Sequence, residues 1–306
     1  MALQTSGAIS IANIATEFGG SAPHSLSEYY GAASGVPTSG TISISHFYGK
    51  SSQFTFTITS NQTNASLYTL AINAGWDGSS NLQATINSGV YISSNSTGTP
   101  ALTVSGSYPA GVTLINNGYI VGMGGNGGRG GDSASNNAVA GSSGGGALSV
   151  SSAITIANNG TIGGGGGGGG GAIARNADGD WITAAGGGGG GGGRTGTTNS
   201  SGGGGGTADG ASYKSNGGSG GSGTSSSGGS GNAGGYVSAQ GTYADGGNGG
   251  SGGTWGASGG SGGSGTTSAY YITRQPGRSG GGAGYAVSGN SNITWSATGT
   301  RLGAIS

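Results

Sequence analysis

The chain has 306 residues, 82 of them glycine and none cysteine, and its eight basic and eight acidic side chains leave a formal net charge of zero. So sparse and balanced a charge argues against nucleic acid or an anionic membrane surface as an electrostatic partner. The lack of cysteine excludes disulfides and thiolate metal sites. Glycine loses more conformational freedom on folding than any other residue. A chain this rich in it must be disordered unless its backbone groups are hydrogen-bonded in a dense lattice.

Residues 1–50 contain an internal repeat, Ser6-Gly7-Ala8-Ile9-Ser10-Ile11 against Ser39-Gly40-Thr41-Ile42-Ser43-Ile44. The first copy predicts a short helix through Ile14 to Phe18 with a glycine end at Gly19. Ser25-Leu26-Ser27-Glu28 fits a capping box before Tyr29-Tyr30. The segment reads as a small helical knob with an aromatic core, or as an attachment module. The N-terminus has no basic n-region and no segment approaches the ~20 apolar residues of a membrane span, so cytoplasmic synthesis without a signal peptide or membrane insertion is expected.

Residues 51–112 read as β. Phe54 to Thr59 alternates apolar and polar, Leu67 to Ile72 and Ala84 to Ile92 less cleanly, and Asn/Gly/Ser turns separate them. The expectation is a short antiparallel domain, a small sandwich. Three Asn-x-Ser/Thr triplets begin at Asn61, Asn64 and Asn95 and read as turn and strand polarity.

From residue 113 the pattern changes. Thr113-Leu114-Ile115-Asn116-Asn117-Gly118-Tyr119-Ile120 and Thr155-Ile156-Ala157-Asn158-Asn159-Gly160-Thr161-Ile162 are near copies, each leading into glycine. Each reads as strand, Asn-Gly turn, strand. Only 13 of the 82 glycines precede Asn117. Gly163–Gly171 and Gly186–Gly193 are uninterrupted, whereas Gly124 to Asp132 and Gly246 to Thr254 repeat Gly-Gly-x. A period of three fits a left-handed extended helix, in which nine residues span about 28 Å. Bare glycine edges allow such helices to approach until they hydrogen-bond to one another. Collagen is excluded, because two residues in three are glycine and Pro276 is the only proline after Pro109. The five aspartates of the region lack the phase of a calcium β-roll, and no strand–loop–helix context supports a phosphate loop.

After Gly171 the connectors between runs are 172–185, 194–201, 207–216, 224–227, 236–245, 254–258 and 266–279, long and short in alternation. If each run crosses the bundle once, the four long ones meet at one end. They carry Arg175, Asp178, Asp180, Trp181, Tyr213, Lys214, Tyr236, Tyr243, Tyr270, Tyr271, Arg274 and Arg278. Tyrosine-rich, Ser/Gly/Asn-rich loops on a rigid scaffold are the composition of a recognition surface. The alternative is that these aromatics shield the bundle end.

Chemistry for catalysis is sparse. His24 and His46 both fall in the N-terminal segment and read as turn or core residues. Asn176-Ala177-Asp178-Gly179-Asp180 offers oxygen ligands to calcium, or a carboxylate pair, but reads more simply as a turn. No enzyme, cofactor or metal site is expected.

The Asn-Asn-Gly-x-Ile segments followed by polyglycine, with connectors between the runs, resemble the receptor-recognising adhesins at the distal tip of T-even-type bacteriophage long tail fibres. The resemblance covers about residues 113–306. It implies a fibre-attachment domain, a bundle of packed polyglycine II helices and variable distal loops that bind outer-membrane proteins. By position, 172–185, 207–216, 236–245 and 266–279 match those loops. The N-terminal pattern Gly-x-Ile-Ser-Ile … Phe-Tyr-Gly-Lys is similar to modules of phage virion proteins.

The sequence is thus read as mostly β and irregular, in three parts. Residues 1–50 dock on a tail fibre or other virion protein, 51–112 form the β domain, and 113–306 present loops to a bacterial surface protein or glycan. A non-adhesive virion component is the rival reading. An ice-binding or matrix protein is a weaker one, since Asn, Arg, Ser and Asp occupy the triplet positions where an ice face would carry Thr, Ala or Val.

Overall fold

The computed structural model describes residues 3–33, 35–50, 52–133, 137–176, 183–268 and 276–306. The N-terminal segment has its own core, in which Ile9, Ile14, Tyr29, Val36 and Phe47 are buried. Helix α1, Ile11–Phe18, is capped reciprocally by Ser10 and Asn13 and stops at Gly19. Phe18, Tyr29 and Phe47 meet with ring centroids 5.8–6.4 Å apart. The two repeat copies latch each other: the Tyr48 hydroxyl donates to the Gly7 carbonyl, and the Tyr30 hydroxyl to the equivalent Gly40 carbonyl. The expected capping box at Ser25 does not form. The Ser25 side chain caps nothing in the turn Leu26–Tyr29, and the carboxylate of Glu28 meets His24 instead.

The β region is a parallel solenoid, not an antiparallel sandwich. Its first face comprises Gln53–Ile58, Asn81–Ile86, Val112–Asn116, Ile154–Asn158 and Ile293–Ala297, each parallel to the next. The second face comprises Gln62–Thr63, Tyr91–Ser93, Tyr119–Val121, Thr161–Gly163 and Thr300–Leu302, again parallel. Ala65–Ser66, Leu102–Val104, Leu148–Val150 and Val287–Ser288 make the third. The chain visits the faces in that order, rung after rung, so the β-sheets continue well past residue 112. Alternate residues point inward and stack between rungs, as Leu82, Ala84 and Ile86 do over Val112, Leu114 and Asn116.

The Asn-Asn-Gly copies are therefore corners of the solenoid rather than hairpins. Asn116 and Asn158 sit at inward, fully buried positions. The Asn116 amide donates to the Asn158 side-chain oxygen at 2.7 Å, and Asn158 in turn donates to the Thr298 carbonyl at 2.8 Å. Gly118 and Gly160 are required by close stacking: a Cβ on Gly160 would lie 2.1 Å from the Gly118 carbonyl oxygen. Asn64 and Asn95 bond across the first two rungs in the same way. Asn158→Ala removes the nearer partner of the buried Asn116 amide, leaving it the Thr161 carbonyl at 3.5 Å, and frees the Thr298 carbonyl, so it should cost about 3 kcal/mol in chemical denaturation. The exposed neighbour Asn159, bonded to Asn117 at 3.0 Å, should tolerate alanine within about 0.5 kcal/mol.

Candidate recognition surface

The glycine runs leave the solenoid at one corner, between its second and third faces. Residues 122–147 interrupt the third rung there and 164–286 the fourth. Run 163–171 shows how the runs associate. Gly165, Gly168 and Gly171 donate N–H to Gly145, Ser142 and Val139; Gly166, Gly169 and Ala172 donate to Arg194, Gly191 and Gly188; Gly167 and Gly170 donate to Ala257 and Gly260. These bonds are 2.7–3.0 Å long. Carbonyls along the run accept, also every third residue, from 122–131, 250–256 and 278–284. Six neighbouring segments thus surround it, and six also surround 186–194.

This explains why these two runs are uninterrupted in the sequence. A segment bonded on every side has no edge free for a side chain, and a Cβ on Gly167, Gly168 or Gly190 would lie within 2.0 Å of a carbonyl oxygen. Segments at the periphery keep one free edge in three. Asn126 on one of them, and Asn248, Ser251 and Thr254 on another, face solvent there.

The hydrogen-bond register also sets which end each connector leaves from. Gly206 donates to Gly187, Gly186 to Ser215, Gly235 to Gly186, Gly188 to Gly247 and Arg278 to Gly171. Segments 172–185, 207–216, 236–245 and 266–279 therefore emerge at one end, far from the solenoid corner. The short connectors 194–201, 224–227 and 254–258 lie at the other. There the Arg194 guanidinium lies 3.6 Å above the Trp255 ring, whose N–H donates to the Thr195 carbonyl at 2.9 Å. Trp255 meets Tyr119, which stacks on Tyr91 at 4.5 Å. This cluster seats the lattice on the second face of the solenoid.

At the distal end the long segments form small β-sheets. Tyr236–Ala239 and Thr242–Asp245 make a hairpin, joined to Thr266–Thr267. Its turn residues, Gln240 and Gly241, have φ of 49° and 79°, the left-handed pair that suits a two-residue hairpin. Register places Tyr236 opposite Asp245 and Ser238 opposite Tyr243 on one face, with Val237 opposite the buried Ala244 on the other. The second sheet joins Arg175–Asn176, Thr183–Ala185 and Tyr213–Ser215. The Thr183 and Thr242 hydroxyls meet at 3.5 Å between the sheets.

Tyr213, Tyr236 and Tyr243 are 45%, 63% and 37% exposed, and Lys214 is exposed beside Tyr213. Arg278 is engaged, its guanidinium Nε donating to the Ala138 carbonyl at 3.0 Å. Asp178, Asp180, Trp181, Tyr270, Tyr271 and Arg274, with the Arg175 side chain, lie outside the described residues. Among the described residues no cluster of three metal-ligating side chains occurs, and no helix is long and apolar enough to cross a membrane.

A fifth turn-back, between the rods ending at Ser133 and starting at Asn137, has its described ends at the distal end and was missed in the sequence. Gly131 donates to Ala172 and Gly171 to Val139, which puts its ends beside Ala172. Its signal was the Gly-Gly-x run before Asp132, whose return strand, 139–146, is only partly glycine.

The model of the family described as phage tail fibre adhesin Gp38 matches residues 53–202, just under half of the chain. None of the curated proteins matches. A solved structure, the gp37–gp38 adhesin tip complex of the bacteriophage S16 long tail fibre, is similar at 24% identity and a TM-score of 0.56. The similarity covers 99% of this chain and 100% of that one.

Proposed function

We propose that this chain, a phage tail-fibre tip adhesin, grips a bacterial surface receptor through the tyrosine-bearing segments at the distal end of its glycine lattice. The observation that carries the reading is the separation of chemistry along the lattice. The solenoid end is closed by a packed aromatic cluster, whereas Tyr213, Tyr236 and Tyr243 stand exposed at the far end. Tyrosine gives large amphipathic contact area at low entropic cost, which suits an outer-membrane protein or glycan. Arg175, Asp178, Asp180, Trp181, Tyr270, Tyr271 and Arg274 are assigned to the same surface by their position in the chain.

The rods are proposed to be polyglycine II helices. What supports this is the three-residue rotation of their hydrogen-bond direction. Residues 1–50, with a core of their own, are proposed to dock the adhesin on a tail-fibre protein, the solenoid being the spacer. The similar solved structure is itself a complex of a gp38 with a gp37. The function is binding without catalysis, and the protein works on the virion after synthesis in the host cytoplasm.

Exchanging segments 172–185, 207–216, 236–245 and 266–279 together for those of another adhesin should change which strains the purified protein decorates. Its unfolding transition should stay in place. Unchanged strain preference with a folded protein would return the distal end to a merely structural role.

A further inference from the structure

We infer that Asp132 is a positioning residue for the recognition end: its carboxylate holds segment 207–216, which bears Tyr213 and Lys214, in fixed register with the end of the rod 122–133. The inference rests on the adhesin reading above. Two neighbouring rods end at this point. Gly127, Gly130 and Ser133 donate N–H to Ser201, Gly204 and Thr207, at 2.9, 2.9 and 3.0 Å. Beyond Thr207 no further backbone bond joins these two rods among the described residues.

Asp132 takes over where the lattice ends. One carboxylate oxygen accepts from the Thr207 backbone N–H at 2.8 Å and from its hydroxyl at 2.9 Å. The same carboxylate is fixed from behind by Arg129, whose Nη2 lies 2.6 and 2.5 Å from its two oxygens. The spacing of three puts Arg129 and Asp132 on one edge of the rod. The backbone N–H of Asp132 donates to Asn137 at 3.1 Å.

The neighbouring residues repeat the connection. The Asp209 N–H donates to the Ser133 hydroxyl at 2.8 Å, and that hydroxyl donates to the Asp209 carbonyl at 3.2 Å. The Ala208 N–H donates to the Asn216 side chain at 2.9 Å, closing the base of the segment. With its side chain 13% exposed, Asp132 is shielded enough for charge-assisted bonds to count. The Arg129 guanidinium, helped by Thr207 and Asn137 and opposed by burial, holds its carboxyl well below the usual carboxylate range. It is ionised at neutral pH.

The test compares Asp132→Ala, Asp132→Asn and Thr207→Val with Tyr213→Ala and Tyr236→Ala in the full-length protein. Two quantities are read: binding of labelled protein to sensitive cells, and amide hydrogen exchange. Asp132→Ala should speed exchange in 207–216 about tenfold, leave 186–193 protected, and weaken cell binding about tenfold. Asp132→Asn, which keeps an acceptor oxygen, should recover part of both losses. If Asp132→Ala does not fold, Asp132→Asn and Thr207→Val carry the comparison, each with a smaller shift in the same direction. Unchanged exchange in 207–216 overturns the inference. So does faster exchange with undiminished binding where Tyr213→Ala weakens binding, and in that case the adhesin reading stands. Binding indifferent to all five variants overturns both.

Discussion

Gly168→Ala is expected to abolish folding, whereas Gly204→Ala should stabilise the same protein slightly. A Cβ on Gly168 would lie 2.0 Å from the Asn126 carbonyl oxygen, and the carbonyl belongs to a rod that bonds to its neighbours along its whole length. Relief requires parting two rods and breaking several buried backbone hydrogen bonds, each costing about 1–3 kcal/mol when left unmade. With several such bonds lost, the expected cost is at least about 6 kcal/mol, comparable with the whole stability of an ordinary domain. Gly204 is exposed, and a Cβ there meets nothing within 4 Å. Alanine should add about 0.5 kcal/mol by restricting the unfolded chain. Soluble yield and thermal unfolding of the two variants check the pair. A Gly168→Ala protein melting with the parent would refute a lattice held by main chain.

The second expected result concerns the exposed hairpin. Tyr236→Ala combined with Tyr243→Ala should weaken binding to host cells by several hundredfold, since truncating a buried aromatic anchor of an interface costs about 2 kcal/mol, or about thirtyfold, for each residue. The two side chains project from one face of the hairpin, away from the buried Ala244, so the unfolding transition should not move. Ile72, 41% exposed on the helix Leu67–Asn73 of the solenoid, supplies the control. Ile72→Ser should leave binding unchanged. Quantitative adsorption with the purified variants separates the cases, and equal binding by the double variant and the control would remove these tyrosines from the surface.

The glycine region was legible because its constraint is periodic. A Gly-Gly-x repeat leaves one edge in three for side chains, and the uninterrupted runs leave none, so the order of burial could be read from the runs. The β region misled for a physical reason. Phe54 to Thr59 alternates as any half-buried strand does, and alternation does not report whether the neighbouring strand is parallel. Asn116-Asn117-Gly118 carries the composition of a hairpin turn, but its asparagine is an inward rung of a buried amide ladder and its glycine clears the Asn87 and Val90 carbonyls. The clue was the repetition itself. Two copies 42 residues apart with conserved spacing belong to stacked rungs, and the glycine between them is an insertion. At the distal end, Tyr213, Tyr236 and Tyr243 stood out by composition. Asp132 did not, because its partner Thr207 lies 75 residues away and meets it only through the rod register.

The corner from which the glycine leaves the solenoid imposes a rule of parity. A chain that departs and re-enters at one corner must cross the lattice an even number of times. It does so twice in the third rung and eight times in the fourth, among the described residues. The distal end can therefore be enlarged only in pairs of rods, and each pair brings one new distal segment and one new turn at the solenoid end. Residues gained or lost within a distal segment leave that count untouched. Length and sequence at the far end are free to vary, while the number of segments there changes only by whole outward-and-return excursions.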